Sequence, residues 1–190
     1  MSLLPAAVLL LAALLAALLR GSARGRGVTV LAAAAALAVA LPLALSGTLP
    51  PVRAAAQLFT LGLVVVVAVF SRRHLDGDPG QARYDRLLLA TAGAAVLAVS
   101  TGDLLVLAVA WIATGSGITA LVGHHAGLPA TARAVTSLRR ARLAGDTALV
   151  LAVGTLVVAA GSSSLEDVTA EAAASPWGPR ARGAPAAPGA

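Results

Sequence analysis

The feature that most constrains this chain is the length of its uncharged apolar runs. Residues 3–19, 28–45, 54–70 and 104–122 contain no charged side chain at all. A helix crossing the hydrocarbon core needs about 20 mostly apolar residues, with ~17 as the lower end. Charged residues make up only 12% of the chain against 58% hydrophobic, whereas a soluble domain carries about 25% charged. An ordinary soluble domain is excluded, and so is a disordered chain, which would be polar and poor in apolar residues. The expected fold is all-α, a polytopic membrane helix bundle with little mass outside the membrane.

The runs and their breakers predict about six transmembrane helices. The first run is closed by Arg20; a signal peptide is the competing reading, opposed by the absence of a preceding basic residue and by the spans that follow. In the second, Pro42 is expected to bend the last turn. Residues 87–99 and 104–122 are divided by Ser100, Thr101, Gly102 and Asp103, where a tight turn is expected, so the fourth span takes its first turns from the preceding segment. Residues 143–160 form the sixth, preceded by an amphipathic segment at 130–142. Residues 1–160 thus form a transmembrane region with spans near 3–19, 28–45, 54–70, 84–99, 104–122 and 143–160. Residues 161–190, rich in Ser, Ala, Pro and Gly, read as a disordered low-complexity tail. Asp78-Pro79-Gly80-Gln81 reads as a helix start, with Asp78 as N-cap and Gln81 reaching back to it.

All 14 basic residues are Arg, and the formal charge is +6. Arg20, Arg24 and Arg26 follow the first span; Arg72, Arg73, Arg83 and Arg86 the third; Arg133, Arg139, Arg140 and Arg142 the fifth. The other connections hold only Arg53. Basic connections stay on the cytoplasmic side, which predicts a multi-pass protein of the inner (plasma) membrane with its N-terminus outside. These Arg flank apolar blocks and do not interleave with aromatics, so membrane lipid is the expected contact and nucleic acid is not. The chain has no cysteine, which removes disulfides, thiolate chemistry and Cys-based metal sites. No Ser/His/Asp, metal or phosphate-loop constellation is present, so no enzyme activity, metal or cofactor is expected.

Five segments, in order, carry a resemblance: SRRHLDGDPGQARY at 71–84, STGDLLVLAVAW at 100–111, Ala113-Thr114, LVGHHAGLPATARAV at 121–135 and LAGDTALVLAV at 143–153. Over roughly residues 58–160 the chain resembles the proton-conducting membrane subunits of respiratory complex I (chain 5, subunit L) and the related cation/proton antiporters. The complex I and antiporter branches carry a glutamate just after the tryptophan; here Ile112 follows Trp111. The pattern is more similar to a further branch, the membrane subunits of two-part inorganic-carbon transporters. That resemblance implies a non-enzymatic transporter subunit that couples uptake of bicarbonate or carbon dioxide to a proton or sodium gradient. It also implies a large, soluble, zinc-containing partner like carbonic anhydrase, or, on the alternative reading, other complex I-type membrane subunits. Two departures bear on it. Arg139 and Arg140 stand where the family has Lys, and Arg does not release its proton. The family also carries many more helices than six, so the chain resembles an N-terminal portion, and a truncated non-conducting fragment or scaffold is the other expectation.

The candidate ion-pathway residues are Asp146, Arg142, Thr114 and Asp103. Asp146 lies inside a span, where acids are functional hypotheses by default; an i,i+4 pair with Arg142 is its plain structural account. Asp103 suits an N-cap of the following helix. Thr114, Ser116 and Thr119 can satisfy themselves on the carbonyl four residues back. Trp111 is expected to pack against small neighbours, and Gly115, Gly117 and Gly154 to let helices approach closely. His124 and His125, adjacent and with no carboxylate nearby in sequence, read as solvated loop residues.

Overall fold

The computed structural model describes residues 3–18, 25–47, 49–125 and 129–174. They form seven α-helices: α1 (Leu4–Leu18), α2 (Gly25–Leu45), α3 (Pro51–His74), α4 (Gln81–Ser100), α5 (Leu104–Val122), α6 (Pro129–Ala160) and α7 (Leu165–Ala174), with a 3-10 turn at Gly123–His125. There is no strand among the described residues. Helices are what lipid demands, because a helix satisfies its backbone polar groups within the segment. Val28–Leu45, Pro51–His74, Leu104–Val122 and Pro129–Ala160 are each long and apolar enough to cross a membrane. The chain is a multi-pass helical membrane protein.

Helices α1 to α4 pack around one core of Leu9, Ala33, Ala36, Ala40, Leu61, Ala68, Leu89 and Val96. The alanines of α2 recur on one face and let neighbouring backbones close in. Between α3 and α4 the buried Gln57 amide donates to Ser100 Oγ at 3.0 Å, and Ser100 donates to Val96 O at 2.6 Å. Helix α5 lies on α4, with Gly117 seating Thr91: a Cβ at position 117 would fall 2.0 Å from Thr91 Oγ1. Helix α6 packs chiefly on α5, with lesser contacts to α7 and the 3-10 turn, and fully buries a single residue, Val153.

Among the described residues, the connections after α2 alternate between two ends. At one end His124 meets Asp78, which brings the α3–α4 loop to the α5–α6 turn. Arg72 and Arg73 close α3 here, Arg83 and Arg86 open α4, and the N-terminal half of α6 carries Arg133, Arg139, Arg140 and Arg142. At the other end Asp103 meets Ser163, and Leu104 N–H donates to Ser163 O at 2.8 Å. Arg53 is at that second end, near Gly102. The turn at Gly102 and the Asp103 cap stand as expected: Asp103 Oδ1 accepts from Leu105 and Val106 N–H, each at 2.9 Å.

Several expectations are corrected. The amphipathic segment 130–142 and the sixth span form one continuous helix, α6, which ends where Gly161 takes φ +66°, a left-handed cap. The segment expected to be a disordered tail contains α7. Leu165 N–H donates to Gly102 O at 2.8 Å, Val168 is buried against Leu104, Ala108 and Val153, and Glu166 and Asp167 sit in the positive first turn. Residues 175–190 lie outside the described residues. Helix α4 begins at Gln81, two residues later than expected. Asp78 Oδ1 accepts the Gly80 N–H at 2.6 Å, an Asx turn that spends the carboxylate before the helix begins. Trp111 is 58% exposed and does not pack among small neighbours. A Cβ at Gly154 would meet nothing within 4 Å, so no helix among the described residues approaches there.

Candidate functional site

Arg142 and Asp146 stand one turn apart on α6, on the face turned toward α5. Arg142 Nη2 donates to Asp146 Oδ2 at 3.0 Å and Oδ1 at 3.2 Å, and to the backbone oxygen of Ile112 at 3.2 Å. The guanidinium occupies the notch left by Gly115: a Cβ there would fall 1.2 Å from Nη1. The plain i,i+4 pairing is therefore formed, and a contact to a second helix is added to it. Both side chains are about one-fifth exposed, 20% for Arg142 and 21% for Asp146. They line a cleft of 340 Å³ with Ser116, Thr119, Ala120, Arg139 and Leu143.

Chemically the arrangement joins a guanidinium to a carboxylate on one helix face. The planar Arg142 fork offers more N–H donors than Asp146 and Ile112 engage. Asp146 keeps lone pairs beyond those engaged by Arg142, so it can accept further hydrogen bonds from groups in the cleft. Arg139 adds a second cation on the cleft wall.

The other two candidates lie apart from this pair. Thr114 donates to Ala110 O at 2.7 Å and does not line the cleft. Asp103 caps α5 at the far end, where Ser163 Oγ donates to its Oδ2. That bond, followed by the Val106 and Leu105 amides, holds the Asp103 carboxyl below the usual carboxylate range.

Two groupings escaped the reading of the sequence. His124 is not a solvated loop residue: its side chain is 8% exposed and its Nε2 lies 3.8 Å from Asp78 Oδ2. Its ring meets Tyr84 edge-on at 5.3 Å and leaves no room for a Cβ at Gly80, which would fall 2.8 Å from Cε1. His124 and Tyr84, with His74 and Phe70, line a cavity of 300 Å³. The His125 side chain lies outside the described residues. Asp85 is the second surprise, a buried acid on α4 that accepts the Thr29 hydroxyl of α2. Its register was readable, because Asp85 shares a face with Gln81, Leu88, Leu89 and Ala92, all buried. No group of three or more acidic or His side chains that could hold a metal occurs among the described residues.

No protein-family model matches the chain. It is 39% identical over 94 residues to the "Probable inorganic carbon transporter subunit DabB2" of Halothiobacillus neapolitanus, a match covering 48% of this chain and 16% of that protein. It is 30% identical over 127 residues to "Probable inorganic carbon transporter subunit DabB1" of the same organism, covering 66% of this chain and 22% of the relative. The chain therefore spans about a sixth of the first relative's length and about a fifth of the second's. Over up to two thirds of its own length, this helical membrane protein is similar to subunits named for inorganic carbon transport.

Proposed function

We propose that this chain belongs to the membrane subunit of an inorganic-carbon uptake system, in which bicarbonate or carbon dioxide entry is coupled to a proton or sodium gradient. The observation that carries the reading is the similarity to two inorganic carbon transporter subunits. Both relatives fall on the inorganic-carbon side of the sequence resemblance rather than the respiratory one. The membrane part works with a large, soluble, zinc-containing partner similar to carbonic anhydrase. The clustering of Arg at one end of the bundle supports an inner-membrane orientation with that end cytoplasmic, the N-terminus outside, and α1 and α4 crossing as fifth and sixth spans.

Within that system Asp146 is the acid that changes its protonation during coupling. Arg142 is its ion-pair partner in the structure, at 3.0 Å. The test is co-expression of the protein and its large partner in a bacterial host lacking carbonic anhydrase, which grows only at raised carbon dioxide. Growth in air and labelled bicarbonate uptake, both abolished by Asp146→Asn at unchanged membrane levels, are expected. Uptake that survives collapse of both the proton and sodium gradients would refute the coupling, and failure of any rescue would refute inorganic-carbon transport.

A further inference from the structure

Helix α6 carries a second Arg-lined cleft, on its exposed face. Arg133, Thr136, Ser137 and Arg140 follow one another at i, i+3, i+4 and i+7 and, with Ala132, line a volume of 440 Å³. That spacing stacks them on one helical face and sets the two guanidiniums about 10 Å apart along the axis. Thr136 donates back to Ala132 O at 2.9 Å, so the charged donors of the cleft are the two Arg. Neither is in an ion pair among the described residues. No acidic residue occurs between Asp103 and Asp146 to neutralise them.

Depth supplies the second argument. The apolar part of α6, residues 143–160, is about 27 Å long and matches a hydrocarbon core of about 30 Å. Arg140 then stands about one turn beyond the core, at the level of the phosphates, with Arg133 further out on the same face. Guanidiniums bind phosphate oxygens bidentately and hold them better than a point charge does. A basic segment directly outside a membrane helix is drawn to an anionic leaflet. We propose that the Arg133–Arg140 face of α6 is a binding site for the phosphate of an anionic phospholipid.

The test is native mass spectrometry of the purified chain titrated with phosphatidylglycerol or phosphatidylcholine. Wild type is expected to retain phosphatidylglycerol preferentially, and Arg133→Gln/Arg140→Gln to bind it about thirtyfold more weakly, at roughly fivefold per lost cation. Arg72→Gln/Arg73→Gln, which removes two exposed cations at the same end of the bundle, is expected to bind as wild type does. Equal retention of the two lipids, or equal losses in the two double variants, overturns the proposal. So does displacement of the lipid by millimolar inorganic phosphate, which would make the cleft a free-anion site. An unchanged lipid preference with loss of a co-purifying acidic protein also overturns it. Should the double variant fail to fold, Arg140→Gln alone, read in the same way, decides.

Discussion

Two interior glycines, Gly115 on α5 and Gly154 on α6, make a matched pair for testing whether the Arg142 seat is real. Replacing either by Ala removes the helix penalty of glycine, a gain of about 1 kcal/mol. At Gly154 nothing lies within 4 Å of the new Cβ, so Gly154→Ala keeps that gain. At Gly115 the three nearest atoms, at 1.2, 1.7 and 2.2 Å, all belong to the Arg142 guanidinium. That group is the end of a flexible side chain and can retreat, so the cost is set by the contacts it gives up rather than by the clash. The bond to Ile112 O, at 3.2 Å, is long, which places it near the lower end of the ~1.5–3 kcal/mol for a charged hydrogen bond. The partly exposed pair with Asp146 adds about 0.5 kcal/mol. A loss of about 2 kcal/mol against a gain of about 1 leaves Gly115→Ala destabilised by about 1 kcal/mol, and about 2 kcal/mol, or roughly thirtyfold, below Gly154→Ala. Equilibrium unfolding in mixed micelles of increasing SDS fraction, followed by circular dichroism, measures the difference. If the two variants shift together in the same direction by the same amount, the guanidinium does not occupy the Gly115 notch.

Acid should loosen the tie between α7 and the α4–α5 turn. Asp103 has its folded pKa depressed below the ordinary 3.8, first by Ser163 and then by the Val106 amide; its contribution is present above that ordinary value and lost as pH falls through the lower folded one. Amide exchange at Leu105 and Val106, corrected for intrinsic rate, is therefore expected to speed up below about pH 4, and Ser163→Ala to move the onset to higher pH; a flat profile refutes it. At the opposite end, Gly80→Ala should push the His124 ring from its place beside Tyr84, because the new Cβ would sit 2.8 Å from Cε1. Site-resolved labelling by diethylpyrocarbonate is expected to be slow at His124 in wild type and fast in the variant; equal rates would refute the packing.

What was legible in the sequence was whatever local chemistry decides. The Asp103 cap needs only a carboxylate before an apolar run, and the Arg142–Asp146 pair needs only one turn of helix. Partners across helices were not legible. Nothing in the sequence gives the 30-residue reach from Arg142 to Ile112 O, or sets Asp78 against His124. Helix α7 was missed because its composition is that of a linker. It folds because Ser163 and Leu165 exchange backbone hydrogen bonds with Leu104 and Gly102 and Val168 finds a buried seat. Trp111 fails in the opposite way: position along a run gives depth in the bilayer, but not which side of the helix a neighbour covers.

The weak attachment of α6 changes how the charged pair should be tested. In lipid, an apolar helix gains little from exchanging acyl chains for protein, so association rests on close packing and polar contacts. Helix α6 touches α5 through the Arg142 seat toward its basic end and through Val153, backed by Leu104, Ala108 and Val168, toward the other. Arg142 is thus both the partner of Asp146 and part of what holds the helix, and any Arg142 substitution mixes the two roles. Asp146 does not share that ambiguity: if it takes up a proton, Arg142 still has the Ile112 oxygen and its notch. Asp146→Asn should therefore stop coupling while barely moving the unfolding midpoint. Gly115→Ala should lower the midpoint while leaving the acid in place. A transport defect that followed stability across both variants would assign the pair to holding α6; a defect confined to Asp146→Asn assigns the charge itself to transport.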